Sequence, residues 1–266
     1  MRRPEELLAQ CLVDCPEDID LEVIAFQAGL EVRDEPLEQC EASLIGYGRK
    51  GIITVAPGVS IERRRFSIAH EVGHWEQHRG QSFSCRIEER ALDKAAKTKE
   101  READDYASSL MMPTNLFKEA IASSKGGVSL ALISELGATF KASFPATAIR
   151  YVELSGEPLV LVFKGVGNTR WWSSRSKRVP EQLWVKRELD SDTYAHDLLA
   201  ASVGTKRQGK MPAEAWIDGI AEDRYDDLME FSVRLQDGVY TLLYLTDEAI
   251  LEERLSAKRA WLMRDE

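Results

Sequence analysis

Two histidines and a glutamate stand together at residues 70–74, which read His-Glu-Val-Gly-His. On an α-helix, positions i and i+4 lie on one face, one turn apart, so the imidazoles of His70 and His74 can bind the same metal ion. Glu71 would then project beside an open coordination position, where a water molecule could bind. Apolar residues on both sides of the motif, among them Trp75, predict a helix that buries both histidines. The spacing therefore predicts a zinc site with hydrolytic chemistry.

Two histidines alone would hold zinc weakly, so a third protein ligand is expected. Glu100 is the better candidate, because it shares a face of the next predicted helix with Asp104 at i, i+4. Asp104 could accept a hydrogen bond from the second nitrogen of a ligand histidine and so fix its tautomer. Glu102 is a rival, although it points roughly 200° away from Glu100 on a helix. His78 continues the histidine series, but it lies about 12 Å along the helix from His70, too far to share an ion.

The elements that position these residues follow from local patterns. Ser60 is predicted to cap a helix that runs through the histidines to about residue 79, directly after a strand at 51–55. Residues 4–30 are helical in pattern, with Asp18 or Asp20 as the cap of a helix that Gly29 ends. The other helices of the N-terminal half are predicted at 88–112, 114–121, 130–140 and 143–154, with short strands at 30–32 and 42–46. Beyond residue 156 the pattern predicts strands at 159–163, 184–185, 229–235 and 239–245, and helices at 191–204 and 247–263. This order of elements is typical of an α+β protein.

The segments HEVGHW, RRRFSIA and EREADDYASSLMMP together resemble the ImmA/IrrE family of zinc metallopeptidases. The resemblance covers about residues 18–152 and includes the Glu-x-x-x-Asp motif of gluzincin proteases. It implies a zincin-like fold in which His70, His74 and Glu100 bind zinc, with manganese as the other possible metal. Three ligands leave one position for water, whose pKa zinc lowers to about 7. By the same resemblance Glu71 is the general base, which takes the proton of the water and passes it to the leaving amine.

The resemblance also implies a substrate, namely a helix-turn-helix transcriptional repressor whose cleavage releases stress-response or mobile-element genes. We interpret the strand at 51–55 as an edge strand, which would pair with the extended substrate through Ile53, Thr54 and Val55. Residues 129–154 themselves resemble a helix-turn-helix. We interpret them as a packing subdomain of the protease, with contact to DNA or to the repressor as the alternative.

Composition limits the remaining classes of function. The 266 residues are 44% hydrophobic and 30% charged, and no apolar run approaches the roughly 20 residues that span a bilayer. Acidic residues interrupt any candidate signal segment at the start, so a cytoplasmic protein without a membrane partner is expected. The four scattered cysteines are interpreted as free thiols. The net charge of -10 argues against broad nucleic-acid affinity and leaves direct binding by local segments open.

We expect three domains: a metallopeptidase core at 1–113, a helical, helix-turn-helix-like subdomain at 114–155, and an α+β regulatory or sensor domain at 156–266. The last is compatible with the GAF-like sensor domain of the radiation-response branch of the family. Its basic, tryptophan-rich segment at 164–187 could hold an acidic partner or a nucleic-acid strand. We favour instead the interpretation that the tryptophans lie in the core and the basic residues at strand edges.

A second class of function remains: a non-proteolytic, zinc-containing regulatory protein that binds DNA or a protein partner through residues 129–187. Glu71 argues for the protease, because a structural zinc needs no base beside an open position. The group that would stabilise the oxyanion is not assigned, and its candidates are Tyr47, His78 and Arg65.

Overall fold

A computed structural model describes residues 2–38, 40–78, 94–167, 170–220 and 226–252. The chain divides into two compact units with a mixed α+β content. Unit 1 comprises Met1–Ser123 and Ser134–Thr147, and unit 2 comprises Ser124–Ile133 and Ala148–Glu266. Among the helices that the structure describes, none has the length and apolar character that crossing a membrane requires. The expected division into three domains stays a prediction.

Unit 1 begins with two short helices and a three-stranded sheet. Helix α1 (Pro4–Gln10) and a 3-10 turn (Pro16–Asp18) precede α2 (Leu21–Ala28), so the helical stretch at 4–30 forms separate elements. The side chain of Asp20 caps α2 by accepting from two backbone N–H groups, and Gly29 ends it in the left-handed conformation, at φ 91°. The strands are β1 (Leu30–Asp34), β2 (Ala42–Tyr47) and β3 (Lys50–Val55).

The sheet has the order β1-β3-β2, with β3 in the centre. Strand β3 pairs in parallel with β1 and in antiparallel with β2, to which it is joined by a tight hairpin. The prediction that β3 is an edge strand is therefore wrong. Both edges of β3 are already paired, one with β1 and the other with β2.

Helix α3 (Ile61–Gln77) carries the histidine motif and packs against α4 (Lys94–Met111). Ser60 caps α3 by accepting from the N–H of Arg63, as its position predicts. The two helices approach closely at Gly73, where an added Cβ would lie 3.0 Å from the carbonyl oxygen of Ala103. The remaining helices of this half are α5 (Thr114–Ser123), α6 (Leu130–Phe140) and α7 (Phe144–Leu154), and the last two are divided between the units. The predicted start of α4, at 88–93, lies outside the described residues.

Unit 2 is built on a five-stranded antiparallel sheet with the order β5-β4-β8-β7-β6. Its elements are β4 (Leu159–Gly165), β5 (Trp171–Arg175), α8 (Tyr194–Leu199), β6 (Lys206–Met211), α9 (Ala213–Trp216), β7 (Leu228–Arg234) and β8 (Gly238–Tyr244). One face of the sheet packs against α8 and α9 in an apolar core that includes Val160, Leu198 and Trp216. Strands β4, β7 and β8 match the strands predicted at 159–163, 229–235 and 239–245.

Two expectations for unit 2 need correction, and two strands lack a prediction. The predicted strand at 184–185 contributes only an isolated bridge from Val185 to Ile217. The helix predicted at 191–204 is shortened to α8, because Thr193 caps its start and the chain turns after Leu199, with Gly204 in the left-handed conformation. Strands β5 and β6 were not predicted: β5 alternates little, and β6 reads Lys-Arg-Gln-Gly-Lys-Met, a charged sequence typical of an edge. Of the final helix, only residues 248–252 are described.

Candidate metal centre

Helix α3 presents two histidines side by side from its buried face. His70 and His74 are both buried, and their Nε2 atoms lie 3.0 Å apart. The rings meet edge to face, with centroids 4.6 Å apart. Spacing of one helical turn thus brings the two nitrogen lone pairs to a single point.

Helix α4 brings a carboxylate to the same point. The two oxygens of Glu100 lie 3.4 Å from Nε2 of His70 and 3.4 Å from Nε2 of His74. The Glu100 side chain is 23% exposed, so the cluster is open to solvent on one side. One atom from each of the three residues lies within 4.8 Å of the others, and this group could hold a metal ion.

The donor set fits a small divalent cation. Ligands about 2.0–2.1 Å from a tetrahedral ion lie about 3.4 Å from one another, close to the 3.0 and 3.4 Å separations found here. Two imidazoles and one carboxylate suit zinc, and they also suit other first-row metals. A tetrahedral ion held by these three groups would keep one coordination position open toward solvent.

The Nδ1 atoms of His70 and His74 are both hydrogen-bonded, but to different partners. Nδ1 of His70 lies 2.9 Å from Oδ1 of Asp104, one turn after Glu100 on α4. Nδ1 of His74 instead lies 3.1 Å from Nδ1 of His78, whose Nε2 lies 2.9 Å from Oε2 of Glu102. Sequence reasoning placed Glu102 as a rival ligand and missed this contact. The contact depends on how α4 packs against α3, and the sequence carries no local signal of that packing.

Glu71 is the most enclosed acid of this cluster, with 1% of its surface exposed. It follows His70 directly on α3 and is therefore carried by the same rigid turn. An enclosed carboxylate that is next to a predicted ligand in the sequence agrees with the role of general base, which stays a prediction.

Arg2, near the start of the chain, makes contacts with both α3 and α4. Arg2 forms an ion pair with the buried Glu76 of α3, with Nη2 2.6 Å from Oε1, and its backbone N–H donates to Oε2. Tyr106 of α4 donates its hydroxyl to the carbonyl of Arg2, and burial raises the pKa of this phenol. The chain start thus ties α3 to α4. This contact joins residues 74 positions apart, and no local pattern predicted it.

The three candidates for the oxyanion stabiliser differ in their surroundings. His78 is held between His74 and Glu102, and Arg65 donates to the carbonyl of Ile19 at 3.1 Å. Tyr47 is 93% exposed at the end of β2. The oxyanion role stays unassigned among the three.

The predicted substrate-binding residues Ile53, Thr54 and Val55 do not lie at an edge. All three belong to the central strand β3, and Ile53 and Val55 are fully buried. Their backbone groups are shared with β1 and β2, so an extended peptide cannot pair with them. The predicted edge pairing is therefore wrong, and the assignment of these residues to substrate binding stays a prediction.

A helix with two histidines and an enclosed glutamate, joined by a carboxylate from the next helix, is the arrangement of a metallopeptidase-type site. Residues 25–151 match the family model described as the IrrE N-terminal-like domain, a peptidase family. For residues 25–151 this match supports membership of the ImmA/IrrE family.

The other comparisons concern the whole chain. No curated protein matches the sequence. A Mycobacterium tuberculosis transcriptional regulator has a similar structure, with a TM-score of 0.60 and 15% identity, over 94% of this chain and 88% of that chain. A likeness at this identity shows the fold alone.

Proposed function

We propose that this protein is a zinc-dependent, site-specific endopeptidase that cleaves a helix-turn-helix transcriptional repressor and so releases stress-response or mobile-element genes. The observation that carries the proposal is the meeting of His70, His74 and Glu100 within 4.8 Å, beside the enclosed Glu71. Membership of the ImmA/IrrE family supports the peptidase activity and, more indirectly, the choice of a repressor as substrate.

In this mechanism His70, His74 and Glu100 hold the ion, and Asp104 orients the ring of His70. When bound, zinc supplies a Lewis acid that polarises the scissile carbonyl and lowers the pKa of water to about 7. Glu71 accepts a proton from the attacking water and donates it to the nitrogen of the leaving amine. Its enclosure strengthens both transfers, because water that would compete for the proton is excluded.

We infer that the substrate adds to β2 rather than to β3. In the described sheet, β2 pairs on one side only, and it runs close to the metal helix. Gly46 packs flat on Trp75, the residue after His74, and a side chain at Gly46 would overlap that ring. An extended peptide on the outer edge of β2 would therefore pass near the candidate site.

Proline tests this edge without breaking the sheet. The N–H of Ala56 donates to the carbonyl of Glu41, so in the antiparallel ladder every second residue, Ala42, Leu44 and Gly46, directs its backbone outward. Leu44→Pro removes an outward N–H and should lower kcat/KM by at least about 10-fold, the loss of one hydrogen bond to substrate. Leu44→Ala is the matched control, because it loses the side chain and keeps the N–H. Equal losses in both variants would exclude pairing at this edge.

The decisive experiment is cleavage of the helix-turn-helix repressors encoded in the same genome, read by mass spectrometry, with bound zinc measured in parallel. The wild type should produce a single cut. Glu71→Gln should retain zinc and lose the cut by about 10³-fold or more, since the base is missing while the ligands remain. Loss of zinc together with activity would place Glu71 in the structure of the site rather than in the chemistry.

Unit 2 is proposed to be a GAF-like sensor domain that regulates the protease. Its five-stranded antiparallel sheet, with helices α8 and α9 packed on one face, supports this assignment. A non-proteolytic regulatory protein is the competing function, and the similarity in fold to a protein titled a transcriptional regulator favours it. Stoichiometric zinc without any cut, for every repressor tested, would decide for that alternative.

A further inference from the structure

We propose that His78 and Glu102 form a positioning pair that fixes the tautomer and the orientation of His74. The inference rests on the proposed metal site, and it assigns to these two residues a role in holding His74 ready for the ion. They touch neither the ion nor the substrate.

The pair is a chain of two hydrogen bonds that crosses from one helix to the other. His74 Nδ1 lies 3.1 Å from His78 Nδ1, one turn further along α3, and His78 Nε2 lies 2.9 Å from Oε2 of Glu102 on α4. Both histidines are buried, whereas the carboxylate of Glu102 is 52% exposed. The solvated end of the chain is thus the charged one, which is the arrangement of lowest desolvation cost.

The proton positions follow from the carboxylate end. An ionised carboxylate only accepts, so Nε2 of His78 carries the proton of that bond. A neutral His78 then has a bare Nδ1, which accepts the proton on Nδ1 of His74. His74 is left with a bare Nε2, and this is the atom that faces Glu100 at 3.4 Å. This assignment satisfies the His74–His78 and His78–Glu102 hydrogen bonds and turns the lone pair on Nε2 of His74 toward the metal position.

His70 reaches the same state by a shorter route. Asp104 accepts directly from its Nδ1 at 2.9 Å, which leaves Nε2 bare. His74 lies deeper in the helix pair, and His78 extends the reach of a carboxylate to it. Both ligand histidines are thus held by an acid of α4, one directly and one through a second imidazole. Partners of this kind fix the ring of a ligand and raise its basicity.

The tautomer is observable directly, because the chain contains only four histidines. In zinc-loaded protein, a long-range ¹H–¹⁵N spectrum should show His78 protonated on Nε2 alone, with protons on Nδ1 of His70 and His74. The exposed His196 of unit 2 serves as the internal reference. A proton on Nδ1 of His78, or on both of its nitrogens, would overturn the proposal.

Zinc affinity, measured by competition with a chelator, gives the second readout. Glu102→Ala should weaken zinc binding about 10–100-fold, and Glu102→Gln should recover part of the loss, because its amide oxygen still accepts from His78. Glu119→Ala, an exposed acid of α5, is the control for loss of charge and should change nothing. Unchanged affinity in Glu102→Ala would refute the positioning pair and leave the metal site intact. Failure of the wild type to bind zinc would instead refute the proposed function, and this inference with it.

Discussion

Unit 2 buries one glutamate, Glu230, and unit 1 places another, Glu100, at the candidate metal centre, and the two carboxylates have different surroundings. Glu230, at the centre of unit 2, is completely buried and accepts from four donors: the N–H groups of Tyr194 and Ala195, the indole of Trp216 and the hydroxyl of Ser232. Glu100 of unit 1 instead faces two imidazole nitrogens at 3.4 Å, and the hydrogen-bond pattern leaves both nitrogens bare.

This difference distinguishes Glu230, whose carboxylate stabilises the fold, from Glu100, whose carboxylate belongs to the candidate metal site. Burial raises the pKa of Glu230, and the four donors oppose this shift, so its own chain compensates the charge. At Glu100 the two carboxylate oxygens face the Nε2 atoms of His70 and His74, and a cation bound among these atoms would compensate the carboxylate charge. A stable fold can keep such a group only because the surrounding helices hold it, as functional sites commonly require.

The largest effect is expected from Glu100→Gln. Zinc affinity should fall by more than the roughly 100-fold that loss of an outer hydrogen-bond partner costs. The metal-free protein should unfold at an equal or higher temperature, because the amide can donate to a histidine nitrogen that the carboxylate can only face. Chelator competition and thermal unfolding in EDTA measure the two quantities. A metal-free variant that melts several degrees lower would mean that Glu100 serves the fold, as Glu230 does, and the comparison would fail.

The same substitution in unit 2 should have the opposite sign. Glu230→Gln places an amide NH₂ among four donors and should lower the free energy of unfolding by roughly 2–4 kcal/mol. Zinc affinity should not change. Glu188→Gln is the matched control, since that side chain is 94% exposed, and it should stay within about 0.5 kcal/mol of the wild type. A stable Glu230→Gln protein would show that the buried network contributes little.

The candidate site was largely predictable from sequence because its parts are local. The i, i+4 spacings of His70 with His74 and of Glu100 with Asp104 each follow from helix geometry alone. The caps at Ser60 and Asp20 are local as well. The structure brings these predicted residues together, and their roles in binding and catalysis stay predictions.

What sequence missed depends on contacts between distant residues. The central position of β3 arises from a parallel pairing with β1, across 20 residues that give no sign of it. The contact of Glu102 with His78 depends on how α4 packs on α3, and that of Arg2 with Glu76 on how the chain start folds back. Edge strands such as β6 carry charged residues for protection, so they lack the apolar pattern by which strands are predicted.

The smallest of the three effects is expected at Gly73, where α3 packs closely on α4. This contact sets the distance between the histidines of α3 and Glu100 of α4. In an ordinary helix, Gly→Ala stabilises by roughly 0.5–1 kcal/mol. At Gly73 the new Cβ would lie 3.0 Å from the carbonyl oxygen of Ala103 and 3.1 Å from Cβ of Tyr106, so α4 must move away. We expect Gly73→Ala to destabilise by about 1–3 kcal/mol.

The same shift should weaken zinc binding, because α4 carries Glu100 while α3 carries both histidines. Gly126→Ala is the control, since nothing lies within 4 Å of a Cβ there. Denaturant unfolding and zinc competition on the two variants separate the possibilities. A Gly73→Ala protein that is more stable and binds zinc unchanged would show that the helix pair adapts freely. In that case the packing of α3 on α4 would not be what holds the Glu100 carboxylate against the histidine nitrogens. The free energy that this arrangement costs the metal-free protein would then have to be small.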